Sequence, residues 1–124
     1  MKNLKKLSEA GLELMLAIWD INGPASVSQI DAALANEKKW ALQTIHTMLI
    51  RLESKGFLAS EKKGRERIFT PVVAREEYLM FESKNFLETV HKNSLLGMMD
   101  ALYDGKNLSD KEIGDLYKWL EERK

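Results

Sequence analysis

The 124-residue sequence predicts a mostly helical α+β fold in two parts, a helical N-terminal region ending in one β-hairpin and an all-helical C-terminal region. Three observations predict it. Apolar residues recur at helical spacing through the first 55 residues or so, the period shortens to that of strands between Phe57 and Pro71, and the helical period returns beyond Val73.

The first helix is expected from about Ser8 to Ile21. Leu12, Met15, Leu16 and Trp19 fall at helical spacing, and Leu14 and Ile18 broaden that stripe. Ser8 suits an N-cap, while Asn22-Gly23-Pro24 supplies a residue tolerant of positive φ and then a breaker. Ser26-Val27-Ser28-Gln29 has capping-box spacing, so a second helix is expected to present Val27, Ile30 and Leu34 and to stop near Asn36. After Glu37-Lys38-Lys39-Trp40, a third helix is expected from about Ala41 to Lys55, with Leu42, Ile45, Leu49 and Leu52 inward and Gly56 as its C′ residue.

Phe57-Leu58-Ala59-Ser60-Glu61 and Glu66-Arg67-Ile68-Phe69-Thr70-Pro71 then suggest two short strands around a basic, glycine-containing tip, Lys62-Lys63-Gly64-Arg65. Three compactly connected helices followed by a hairpin make a winged helix-turn-helix, placed at residues 1–73. Residues 74–124 suggest three further helices: about Ala74 to Val90, Asn93 to Tyr103 and Ser109 to Glu122, the last opened by a second capping-box pattern, Ser109-Asp110-Lys111-Glu112. So short a helical region makes a poor core alone. Its apolar residues, Phe86, Leu95, Leu96, Met99, Leu102, Ile113, Leu116 and Leu120, are therefore expected to pair with a second copy, making it a dimerisation region.

Composition bounds the function. The chain is 44% hydrophobic and 31% charged, as a globular protein is, and no apolar run approaches the roughly 18 residues a membrane span needs. Glu9, Glu13 and Asp20 interrupt what would have to be a signal peptide, so that reading is set aside. Cysteine is absent, which rules out disulfides and thiolate metal sites and fits a cytoplasmic protein. His46 and His91, the two histidines, fall in different halves, and no metal or cofactor is expected. No His-Glu-x-x-His, P-loop, glycine-rich nucleotide motif or serine elbow is present, and no enzyme is expected. The zero net charge conceals a split: 12 Lys/Arg against 8 Asp/Glu in residues 1–75, but 7 against 11 in residues 76–124. Between Lys38 and Arg67 the count is 8 basic to 3 acidic, a nucleic-acid signature.

With its apolar side inward, the third helix turns Gln43, Thr44, Thr47 and Arg51 outward. Glutamine can pair with adenine, arginine with guanine, and a threonine methyl can meet that of thymine, so these four are candidates for base contact in a major groove, with a phosphate as the alternative partner of Arg51 further along the helix. Lys38, Lys39, Lys62, Lys63, Arg65 and Arg67, with Ser28 and Trp40, are candidates for backbone contact, and packing is the favoured role of Trp40. The competing reading is a winged helix that binds another protein; it has no use for a basic wing or for that outward face.

Trp40-Ala41-Leu42-Gln43-Thr44-Ile45-His46-Thr47-Met48-Leu49-Ile50-Arg51-Leu52, with Lys55-Gly56-Phe57, resembles the third helix of the penicillinase-repressor family, the BlaI/MecI-type regulators that also include the CopY-type copper repressors. Leu7-Ser8-Glu9-Ala10, Ser83-Lys84-Asn85-Phe86 and Leu108-Ser109-Asp110-Lys111-Glu112-Ile113 extend the resemblance along nearly the whole chain. It implies a homodimeric repressor on a palindromic operator, joined through its C-terminal helices. In the antibiotic-resistance members it further implies a protease acting on the C-terminal region. Two departures stand out. The copper-sensing cysteines are missing, and Ala101-Leu102 occupies the place of the Asn-Phe scissile pair.

Overall fold

The computed structural model describes residues 4–34 and 40–124. The elements follow the order α1 (Glu9–Ile21), β1 (Ala25–Ser26), α2 (Val27–Leu34), α3 (Leu42–Ser54), β2 (Leu58–Lys63), β3 (Glu66–Pro71), α4 (Arg75–Val90), α5 (Leu95–Asp104) and α6 (Asp110–Glu122). The chain forms two compact units, Met1–Glu82 and Ser83–Lys124.

Capping residues set the helix ends. Ser8 Oγ accepts from Gly11 N at 3.1 Å, and Asn22 closes α1 at φ 60°. The Ser26–Gln29 capping box forms in both directions: Gln29 N donates to Ser26 Oγ at 3.2 Å, and Ser26 N donates to Gln29 Oε1 at 2.8 Å. Gly56, at φ +89°, turns the chain out of α3 into the sheet, where a side chain would be strained.

The first unit buries one core. α1 contributes Leu14, Met15 and Ile18, α2 contributes Ile30 and Leu34, and α3 contributes Ile45, Leu49 and Leu52. Phe57, Leu58, Phe69, Val73 and Tyr78 close it. The sheet is antiparallel in the order β1-β3-β2, with Ser60 opposite Phe69 and Lys62 opposite Arg67. Strand β1 was not anticipated. Two residues carry no period, yet Ala25 and Ser26 pair with Phe69 and Ile68 and so join the start of α2 to the hairpin.

Two differences from the sequence expectation have physical causes. Leu42, expected inward, is 54% exposed. It lies on the stripe of Ile45 and Leu49, but it is the first residue of α3, and burial on that stripe begins only at Ile45. The first unit also continues past Val73 to Glu82. Tyr78, at 1% exposure, belongs to its core: the phenol oxygen accepts from Leu7 N at 2.8 Å, and the ring meets Trp19, Phe57 and Phe81 at centroid distances of 6.0, 5.7 and 5.8 Å. Trp19 Nε1 donates to Val73 O at 3.0 Å across the same junction.

In the second unit, Ser94 caps α5 and Ser109 caps α6 through a complete capping box with Glu112. The Ser109 backbone and hydroxyl hydrogen bonds hold the Glu112 carboxyl below the usual carboxylate range.

Candidate nucleic-acid interface

α3 is amphipathic in the way its sequence requires. Ile45, Leu49 and Leu52 are buried, while Gln43, Thr44, Thr47 and Arg51 are all exposed. Thr47 Oγ1 donates to Gln43 O at 3.0 Å. That bond occupies the hydroxyl proton and leaves the methyl as the part of the side chain with no polar commitment. Ile50, which was not singled out from the sequence, is also exposed, at 42%, and adds an apolar group three residues beyond Thr47.

Strands β2 and β3 leave the core as they run towards their turn. Along one face of β2, burial falls from Leu58 to half-buried Ser60 to exposed Lys62; on β3 it falls from buried Phe69 to exposed Arg67. The projecting tip is the wing. Gly64 takes φ +63° at the first position of the two-residue turn between Lys63 and Glu66, where an L side chain is disfavoured. Lys62, Lys63, Arg65 and Arg67 are exposed on it, and Glu61 lies 3.6 Å from Lys63.

Between the start of α2, α3 and the wing lies an open depression of ≈ 400 Å³. Ser28, His46, Lys62, Arg65 and Arg67 line it, so three cations surround it and, among the described residues that line it, Glu66 is the one anion. His46 stands edge-on to Phe69, with centroids 6.5 Å apart. Among the described residues no cluster of potential metal ligands exists. Ser28 is exposed on the first turn of α2. Trp40 is half-buried and packs against the core. Lys38 and Lys39 lie outside the described residues.

A hydrogen-bonded chain joins α3 to the wing. Ser60 Oγ donates to the Glu53 carboxylate, whose two oxygens both lie 2.9 Å away, and Arg67 Nη1 donates to Ser60 Oγ at 2.9 Å. Neither Glu53 nor Ser60 stands out in the sequence. Their meeting depends on the strand register and on where α3 lies against β2.

The second unit carries a different surface. None of the residues of α5 or α6 is fully buried. Phe86, Leu95, Leu96, Leu102 and Leu120 are exposed, Leu96 at 73%, and Met99, Ile113 and Leu116 are half-buried. Trp119 and Tyr117 add exposed aromatic area. Leu95, Leu96, Met99, Leu116, Trp119 and Leu120 share an apolar concavity of ≈ 730 Å³. Ala101-Leu102 lies within α5. Among the described residues, no helix is long and apolar enough to cross a membrane.

Residues 7–122 match the model of the penicillinase repressor family. The penicillinase repressor of Bacillus licheniformis is 34% identical over 124 residues, which cover 100% of this chain and 96% of the relative. The methicillin resistance regulatory protein MecI of Staphylococcus aureus is 28% identical over 118 residues, covering 95% of each protein. Among solved structures, the monomeric form of Bacillus licheniformis BlaI in complex with the blaP half-operator aligns with a TM-score of 0.52 at 35% identity, over 63% of this chain and 94% of that one. By sequence along almost its whole length, and by the fold of its N-terminal unit, the chain belongs to the penicillinase repressor family.

Proposed function

We propose that this chain is a transcriptional repressor that binds a palindromic operator as a homodimer, with α3 in the major groove and the wing on the DNA backbone. The observation that carries the reading is the exposed Gln43, Thr44, Thr47 and Arg51 face of α3, flanked by a depression ringed with Lys62, Arg65 and Arg67. Gln43, Thr44, Thr47 and Arg51 read base edges, while Ser28 and the wing cations hold phosphates and make binding steeply salt-dependent. Lys38, Lys39 and Trp40 extend this contact by sequence position. Operator binding is supported by the relative whose monomeric form was solved in complex with the blaP half-operator.

Dimerisation is assigned to the second unit. Its exposed Leu95, Leu96, Leu102 and Leu120, with Trp119, present clustered apolar surface of the kind that marks interaction sites. A two-fold dimer lets the same patch cover itself. The repressor acts in the cytoplasm, and a protease acting on the C-terminal region would release the operator by removing this pairing. The bond it cuts is not an Asn-Phe pair at Ala101-Leu102.

The test incubates the full-length protein with fragmented host DNA and sequences the recovered fragments. A shared palindrome upstream of a few genes is expected. No enrichment from a folded dimer would overturn the reading in favour of a protein-binding winged helix.

A further inference from the structure

We infer that Ser60, oriented by Glu53, is a positioning residue that fixes the Arg67 guanidinium at the edge of the depression for a DNA phosphate. The inference rests on the DNA-binding reading above. A serine hydroxyl has one proton and two lone pairs. Because the proton goes to the Glu53 carboxylate at 2.9 Å, the lone pairs remain to accept Arg67 Nη1, also at 2.9 Å. The chain carboxylate–hydroxyl–guanidinium is charged at both ends, which shortens and strengthens both bonds relative to neutral ones. Ser60 is half-buried at the point where β2 leaves the core, so its own position is set by the sheet.

The consequence concerns order. An arginine on a solvent-exposed wing has a large set of rotamers to lose when it meets a phosphate. Arg67 gives up part of that freedom in the free protein, and one of its five N–H donors suffices for the purpose. The remaining donors serve the depression that Arg67 lines. Glu53 lies in the last turns of α3, so the same chain ties the wing's phosphate anchor to the helix that enters the groove.

The experiment measures binding of the full-length protein to a labelled random-sequence duplex by fluorescence anisotropy across a salt series. Arg67→Ala is expected to lower the salt slope by about one per subunit, the loss of one phosphate contact. Ser60→Val is expected to weaken binding about three- to tenfold through lost ordering, and Ser60→Thr, which keeps the hydroxyl, to restore it. In an Arg67→Ala background Ser60→Val is expected to have no further effect, a non-additivity that general damage to the strand does not produce.

Glu53→Ala supplies an independent sign, useful should Ser60→Val lower the unfolding midpoint. Removing a negative charge near DNA ordinarily tightens binding; loss of positioning weakens it. Tighter binding by Glu53→Ala, or equal effects of Ser60→Val with and without Arg67, would overturn the inference. Wild-type protein that fails to bind the duplex even at low salt removes the DNA-binding reading itself, and this inference with it.

Discussion

Cutting the chain after Val73 rather than after Glu82 tests how the first unit is held together. The shorter fragment retains every winged-helix element but loses Tyr78, whose side chain is 1% exposed. Removing a large buried aromatic group costs about 3–5 kcal/mol. The Leu7 N–H also loses the phenol oxygen 2.8 Å away, and exchanging that bond for one to water costs about 1 kcal/mol. The two together amount to about 4–6 kcal/mol, against a total stability of about 5–15 kcal/mol for a domain. Fragment 1–73 is therefore expected to be near or below its folding threshold at 25 °C, and fragment 1–82 to fold as a monomer. Urea titrations followed by tryptophan fluorescence, from Trp19 and Trp40, and circular dichroism measure both. Coincident midpoints would refute the argument and return the boundary to Val73. If both fragments fold, their operator affinities relative to the full chain still report what the second unit adds.

Other expected outcomes are as specific. Thr47→Ser removes the methyl and keeps the hydroxyl bonded to Gln43 O; operator affinity should fall about fourfold per subunit, the worth of one buried methylene-sized group. Thr47→Val keeps the methyl and should stay within about twofold of wild type, so a larger loss for valine in a competition titration would mean that the hydroxyl makes the contact. Burial, and then the Glu82 carboxylate, push the Tyr78 phenol from its ordinary value of 10.0 up to about 12. A group whose pKa is raised by folding lends stability that is complete below its unfolded pKa and lost as pH rises through the folded one. Wild type should thus lose about 2 kcal/mol between roughly pH 10 and pH 12, beyond whatever Tyr78→Phe loses; parallel unfolding curves for the two proteins across that range would contradict it. Leu96→Glu places a charge on the most exposed leucine of the apolar face. Sedimentation should show a monomer with weakened operator binding and an unchanged first unit, and an intact dimer would move the interface elsewhere.

Much of this protein is written in local sequence. Ser8, Ser94 and Ser109 sit where a hydroxyl can accept an orphan helix N–H, and all three do so. Asn22, Gly56 and Gly64 take the positive φ that their turns require. The outward placement of Gln43, Thr44, Thr47 and Arg51 follows from a 3.6-residue period applied to Ile45, Leu49 and Leu52, because one helix turn fixes both faces at once. The charge split pointed to the basic wing for the same reason: it needs no knowledge of packing.

What remained belonged to tertiary structure. Periodicity places Leu42 on the core stripe, but burial depends on whether another element covers that turn, and among the described residues Leu42 stays 54% exposed. Strand β1 exists because β3 lies beside Ala25 and Ser26, a pairing between residues far apart in the chain. Tyr78 joins the first unit because Leu7, Trp19 and Phe57 converge on it. The Glu53–Ser60–Arg67 chain depends on strand register and on where α3 meets β2. A sequence determines what its own neighbours can decide: caps, turns and the two faces of a helix. Which elements come to lie against one another is settled only when distant side chains share one buried volume.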